Sequence, residues 1–184
     1  MLKKSRIKLL IKPLGDLDLL RFSDQLKAAA KLYGWEPELF LERIPLQDED
    51  YIASRQQYDA TRILSKLLEF KKKDNKVIGI TSADIFVPGF NFIFGLADAN
   101  KGVALLSIAR LTSFGLGIEE NLSLVNERVF KEATHELGHL FGLAHCYEPS
   151  CIMSFANSIN DVDRKLPILC SDCLGKIKSQ IKWI

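Results

Sequence analysis

At 184 residues the chain has the length of one ordinary domain and can bury a core without disulfide staples. Its 25 basic and 23 acidic residues leave a formal net charge of +2, so charge gives no attraction for nucleic acid or an anionic membrane. Although 47% of the residues are hydrophobic, no apolar run is long enough to span a bilayer.

The chain starts Met-Leu-Lys-Lys-Ser-Arg-Ile-Lys-Leu-Leu-Ile, a charged then apolar order that resembles a secretory leader. Lys8 and Lys12 interrupt the apolar part and no small-residue cleavage site follows. Residues 5–12 are therefore expected as a first strand, with Ile7, Leu9 and Ile11 on one face and Leu10 on the other. On this reading the protein is expected to stay in the cytoplasm, where thiols are reduced. Residues 16–33 are helical in period, with Leu19, Phe22, Leu26 and Ala30 as the inward stripe and Gly34 as the stop. Residues 38–44 form a second strand candidate ahead of Pro45, and 51–72 a second helix. Residues 76–81 look like a buried strand. After Pro88 and Gly89, residues 91–97 and 102–111 alternate as two strands around Asn100-Lys101-Gly102, a turn short enough to require an antiparallel hairpin. The order strand, helix, strand, helix, strand, hairpin predicts a mostly parallel sheet with one antiparallel neighbour. Residues 121–141 form the third helix, 143–170 lose helical periodicity, and a last helix is expected over 171–182.

The third helix contains His135-Glu136-Leu137-Gly138-His139. Residues four apart on a helix differ by about 40° in direction, so both imidazoles leave one face and can reach one ion. Leu122, Val125, Val129, Ala133, Leu137 and Leu140 fall on the opposite face and dock the helix, while Arg128 and Glu132 share the histidine side. The motif continues as His139-x-x-Gly142-x-x-His145. Gly142 can take the positive φ that ends a helix, and the returning chain then brings His145 back to the metal. Three histidines leave a fourth zinc position open for water, which is the catalytic rather than the structural pattern. Glu136, beside His135, is placed to act as general base.

Cys146, Cys151, Cys170 and Cys173 form C-x4-C and C-x2-C pairs. Four thiolates with these spacings suit a closed tetrahedral zinc site with a structural role. Two disulfides and a nucleic-acid-binding zinc ribbon are the rival readings. The first fits a reduced compartment poorly, and the second lacks basic and aromatic surroundings. Residues 146–170 hold too little periodic apolar sequence to fold alone, so a metal clamp would supply folding free energy.

The run from His135 to His145 resembles the metzincin zinc-binding signature. With Cys146 directly after it, then Cys151-Ile152-Met153 and Cys170-Ser171-Asp172-Cys173, the whole pattern is similar to the archaemetzincins. The motif covers 135–173. The resemblance implies a single catalytic domain over 1–184, with an upper subdomain (1–142) built on a twisted, mostly parallel sheet and the active-site helix. A small irregular lower subdomain (143–184) would end in a helix, with the cleft between the two. It further implies that Met153 is the methionine of a turn beneath the catalytic zinc. On sequence alone Met153 could equally be an ordinary core residue.

The expected function is hydrolysis of peptide bonds in a peptide or protein substrate, with two zinc ions per chain. Hairpin order and the resemblance together assign 91–97 as the edge strand along which substrate lies. A zinc protein without peptidase activity, and a zinc amidase or deacylase, are the alternatives. Asp84, Asp98, Glu148, Asp161 and Asp163 could touch substrate but read better as turn or cap residues.

Overall fold

The computed structural model describes residues 7–112 and 121–180. Strand β1 (Lys8–Leu14) alternates as its sequence requires: Leu9 and Ile11 enter one apolar cluster, and Leu10 and Leu14 the cluster on the opposite face. Ile7, expected on the inner face, is exposed just ahead of the strand. A 3-10 turn at Leu19–Phe22, capped by the Asp18 carboxylate, leads into α1 (Ser23–Leu32). Leu19, Phe22, Leu26 and Ala30 are all buried, and Gly34 at φ 70° ends the segment.

Strand β2 (Glu36–Leu39) starts earlier than the expected 38–44 and is shorter. Among the described residues it pairs only with β1, and an edge position accommodates Pro37. Ile44 retains one bridge to Leu14.

The first half of the expected helix over 51–72 is instead a hairpin. Strands β3 (Tyr51–Ile52) and β4 (Gln57–Asp59) pair antiparallel, with Gln56 at φ 56° before the second. Tyr51, Ile52 and Tyr58 favour strand, and the two tyrosine rings meet across the pair at 5.0 Å. Helix α2 (Ala60–Lys66) begins where the Asp59 carboxylate accepts the Thr61 N–H at 2.9 Å, and a 3-10 turn at Leu67–Phe70 completes it.

Strand β5 (Asn75–Thr81) follows, then β6 (Ile85–Phe86), which joins β3 and β4 in a small second sheet. Strands β7 (Gly95–Asp98) and β8 (Val103–Ser107) form the expected hairpin, shorter at its outer ends than 91–97 and 102–111. Its turn is closed by Gly102 at φ 72° and by Asp98, whose side chain accepts the Lys101 N–H. The main sheet runs β2-β1-β5-β8-β7, parallel except for the last pair. The mixed sheet with one antiparallel edge strand is thus the arrangement read from the element order.

Helix α3 (Leu122–Phe141) is capped by Asn121, whose side chain accepts the Leu124 N–H. Val125, Val129, Ala133, Leu137 and Leu140 are buried as expected, whereas Leu122, in the first turn, is exposed. Helix α4 (Ile159–Arg164), not anticipated, is capped by the Ser158 hydroxyl, and α5 (Ser171–Gln180) is the last helix. Residues 5–6 of the expected first strand and 181–182 of the expected last helix lie outside the described residues.

Apolar side chains of α1 and α3 pack on one face of the sheet and those of α2 on the other. The first cluster continues without a break to Ile152, Met153, Val162 and Ile177. Among the described residues no helix is long and apolar enough to cross a membrane.

Candidate active site

Helix α3 presents His135 and His139 one turn apart, with ring centroids 4.6 Å from each other. Gly142, at φ 107°, breaks the helix, and its N–H reaches back to the Gly138 and His139 carbonyls. The Leu143 N–H also bonds the Gly138 carbonyl, at 2.9 Å. This closure turns the chain so that the His145 ring lies 4.8 Å from that of His139 and 5.2 Å from that of His135. The three rings therefore converge, as the spacing required.

Hydrogen bonds fix which nitrogen of each helical imidazole faces inward. His135 Nδ1 donates to the Ile152 carbonyl at 2.9 Å, and His139 Nδ1 donates to the Leu143 carbonyl at 2.8 Å. With the ring protons on Nδ1, both Nε2 atoms carry lone pairs, and they stand 3.0 Å apart. Two lone pairs facing each other at that distance repel unless a cation lies between them. Nitrogens held at ~2.0–2.1 Å in a zinc tetrahedron are about 3.3 Å apart, so the separation fits that ion. Burial, with the Lys165 charge, holds His135 well below the ordinary imidazole range, and burial lowers His139 and His145 too. Neutral imidazole is the form that ligates.

Glu136 is 4% exposed, and its Oε2 has no hydrogen-bond partner among the described residues. Burial, reinforced by Glu132, pushes its carboxyl well above the usual carboxylate range. Edge strand β7 crosses directly against it. A Cβ on Gly95 would lie 2.4 Å from both Cδ and Oε1 of Glu136. Only glycine permits this approach. Sequence reading passed over Gly95, although a glycine inside a strand pattern signals close backbone contact.

Gly138 has a similar function beneath the helix. A Cβ there would lie 2.3 Å from Met153 Sδ and 2.9 Å from the Tyr33 hydroxyl. Met153 is fully buried against the motif, and Tyr33 donates to the Thr134 carbonyl at 2.7 Å.

The cleft in front of these residues has a volume of about 500 Å³. Gly95 and Leu96 of β7 line it together with Phe155, Ala156 and Asn157, and Glu132, His135, Glu136, His139 and His145 complete the wall. Glu132 forms a buried ion pair with Lys165, at 2.8 Å, which sequence reading missed. The sequence carried a Ser158-x-x-Asp161 helix cap, which marks the start of α4 but not its packing against α3.

All four cysteines are free thiols, and their Sγ atoms lie within 4.8 Å of one another. Cys146 Sγ and Cys170 Sγ are 3.7 Å apart, close to the ~3.8 Å edge of a tetrahedron with ~2.3 Å zinc–sulfur bonds. Backbone N–H groups of Glu148 and Cys170 donate to Cys146 Sγ and Cys151 Sγ. Burial pushes the Cys173 thiol far up, so the four sulfurs cannot all ionise without a cation among them.

The five acids considered as substrate contacts have structural partners. Asp84 takes both Arg110 nitrogens, at 2.8 and 2.7 Å, and Asp163 takes Arg128 at 2.7 and 2.6 Å. Asp98 closes the β7–β8 turn, Glu148 bonds Ser150, and Asp161 bonds Ser158.

Comparison with known proteins agrees with this geometry. The peptidase family M54 profile matches residues 28–179. The archaemetzincin of Aeropyrum pernix is 43% identical over 133 residues, covering 70% of this chain and 69% of that one. The crystal structure of the Methanopyrus kandleri archaemetzincin superposes with a TM-score of 0.84 at 34% identity, covering 100% of both chains. A zinc-dependent peptidase from Methanocorpusculum labreanum gives a TM-score of 0.83 at 27% identity, covering 92% of this chain and 100% of that one.

Proposed function

The chain belongs to peptidase family M54, the archaemetzincins, and is a zinc metallopeptidase; on that premise we propose that it hydrolyses peptide bonds with Glu136 as general base beside a zinc held by His135, His139 and His145. The observation that carries this is the pair of unprotonated Nε2 atoms facing each other at 3.0 Å. A zinc ion bound there supplies Lewis acidity, which polarises a peptide carbonyl and acidifies a water.

Glu136, in the cleft wall, accepts the proton of the attacking water on its carboxylate and returns it to the leaving amine. Its burial raises its basicity toward that task. Among the described residues the outer edge of β7 has no strand partner in the main sheet. An extended peptide adds to it through main-chain hydrogen bonds, and Gly95 lets the scissile bond approach Glu136. Met153 packs under the ligand helix. A second, structural zinc is held by Cys146, Cys151, Cys170 and Cys173. Division of the chain at Gly142 into an upper (1–142) and a lower (143–184) subdomain leaves the cleft between β7 and residues 155–157. Reduced thiols suit a cytoplasmic location.

The test combines metal content with hydrolysis of a peptide library. Wild type holds two zincs per chain, and His145→Ala holds about one, by ligand count. Glu136→Ala keeps both and loses hydrolysis. Cleavage by Glu136→Ala at the wild-type rate rejects the assignment of the base.

A further inference from the structure

We infer that Glu132, backed by Lys165, forms a specificity pocket for the residue on the leaving-amine side of the scissile bond, selecting hydrogen-bond-donating and cationic side chains over acidic ones. This rests on the peptidase reading above and extends it to substrate choice.

Position comes first. Glu136 returns a proton to the leaving amine, so that nitrogen lies against Glu136. His139 and His145 lie on one side of it. Glu132 lies one helical turn, about 5.4 Å, to the other side on the same helix face. Substrate chain continuing from the amine toward the N-terminal end of α3, past His135, therefore passes over Glu132.

The chemistry of the pocket follows from the pair's orientation. Both residues are buried, at 3% and 0% exposure, but Glu132 lines the cleft and Lys165 does not. Lys165 Nζ takes Glu132 Oε1 at 2.8 Å, and no donor among the described residues takes the other oxygen. An entering side chain meets the carboxylate first, with the ammonium behind it. Among the described residues, beyond Glu132 and Glu136 the charged lining of this cleft is limited to histidine, and Phe92, Phe94, Leu96 and Phe155 make its walls apolar. In such a site one polar group decides orientation and selectivity.

The pair cannot turn round. Arg128 holds Asp163 through two bonds, and Lys131 donates to the Val162 and Asp163 carbonyls at 3.3 and 3.4 Å. These contacts fix the segment that carries Lys165. A purely structural ion pair would need neither the open oxygen nor its placement in the cleft wall.

The experiment uses zinc-loaded protein and peptides that differ only in the residue after the scissile bond: Lys, Arg, Gln, Leu, Asp or Glu. Wild type is expected to show kcat/KM at least about tenfold higher for Lys and Arg than for Asp and Glu. The double variant Glu132→Leu with Lys165→Met removes both charges together and leaves no buried charge unpartnered. Its Lys-to-Asp ratio is expected to fall close to one, with Leu now preferred. If that variant does not fold, Glu132→Gln keeps the volume and an acceptor for Lys165, and is expected to lower the ratio severalfold. A flat wild-type profile, or an unchanged ratio in a folded variant that retains two zincs, overturns the pocket assignment alone. A wild type that cleaves none of the peptides overturns the peptidase reading, and this one with it.

Discussion

Replacing Gly95 with alanine tests whether β7 sets the position of the catalytic base. The new Cβ would lie 2.4 Å from Cδ and Oε1 of Glu136, and 2.6 Å from its Cγ. Carbon atoms pack at about 3.5 Å, so the carboxylate or the strand must yield by about 1 Å. All three contacts fall on one side chain of α3, and the strand is anchored by β8. The carboxylate is therefore the part that moves. A 1 Å misplacement of a reacting group costs about a hundredfold in rate, or roughly 2.7 kcal/mol of barrier. The backbone at Gly95 is not in the positive-φ region, so alanine itself is not strained there. The assay is kcat/KM on a quenched fluorescent peptide, with zinc content and melting temperature measured on the same sample. The expected outcome is a rate loss near a hundredfold with two zincs retained and little change in melting temperature. Wild-type kcat/KM in Gly95→Ala would refute the reasoning. Loss of the catalytic zinc would show that the overlap is relieved through the ligands instead.

Two stability predictions accompany it. Cys170→Ser is expected to reduce bound zinc to about one per chain, lower the melting temperature and lower activity, because a clamp replaces a core in the segment after His145; unchanged melting of a zinc-replete sample would reject it. Gly175→Ala, in the exposed middle of α5 with nothing within 4 Å of the new Cβ, is expected to stabilise by about 1 kcal/mol in denaturant unfolding and to leave kcat/KM unchanged.

The readable parts of this chain are those in which chemistry and periodicity coincide. The spacing of His135, Glu136, His139, Gly142 and His145 dictates a helix, a left-handed stop and a return, and the structure contains each of these. The sheet order followed from alternation plus one tight hairpin. Residues 51–59 were misread because Ile63, Leu64 and Leu67 carry a strong helical period. That period hides the earlier boundary at Asp59, a capping residue inside the stretch. Gly95 gave only the general sign of a glycine inside a strand pattern, and Gly138 gave none. Their importance lies in what a missing side chain lets approach, namely Glu136 and Met153, and that depends on tertiary contacts. Glu132 was placed on the histidine face, but its partner Lys165 is 33 residues away, and no local rule joins them.

The segment from Cys151 to Met153 explains why the thiol cluster and the imidazole cluster occur together in so small a chain. Cys151 contributes a sulfur to the first cluster. The next residue, Ile152, offers the carbonyl that orients His135 in the second, and Met153 after it fills the space that Gly138 leaves under the ligand helix. Met153 also accepts the Cys146 N–H at 2.8 Å, and Cys146 is both a cluster cysteine and the neighbour of His145. Three consecutive residues thus tie one sulfur corner to the orientation of one imidazole and the anchorage of another. Outer partners of ligating histidines contribute about 10–100-fold to metal affinity. A loosened thiol cluster would release the Ile152 carbonyl and the Cys146 anchor at once. On the proposed assignment the cysteines would support a catalytic ion through the backbone they hold still, without touching it.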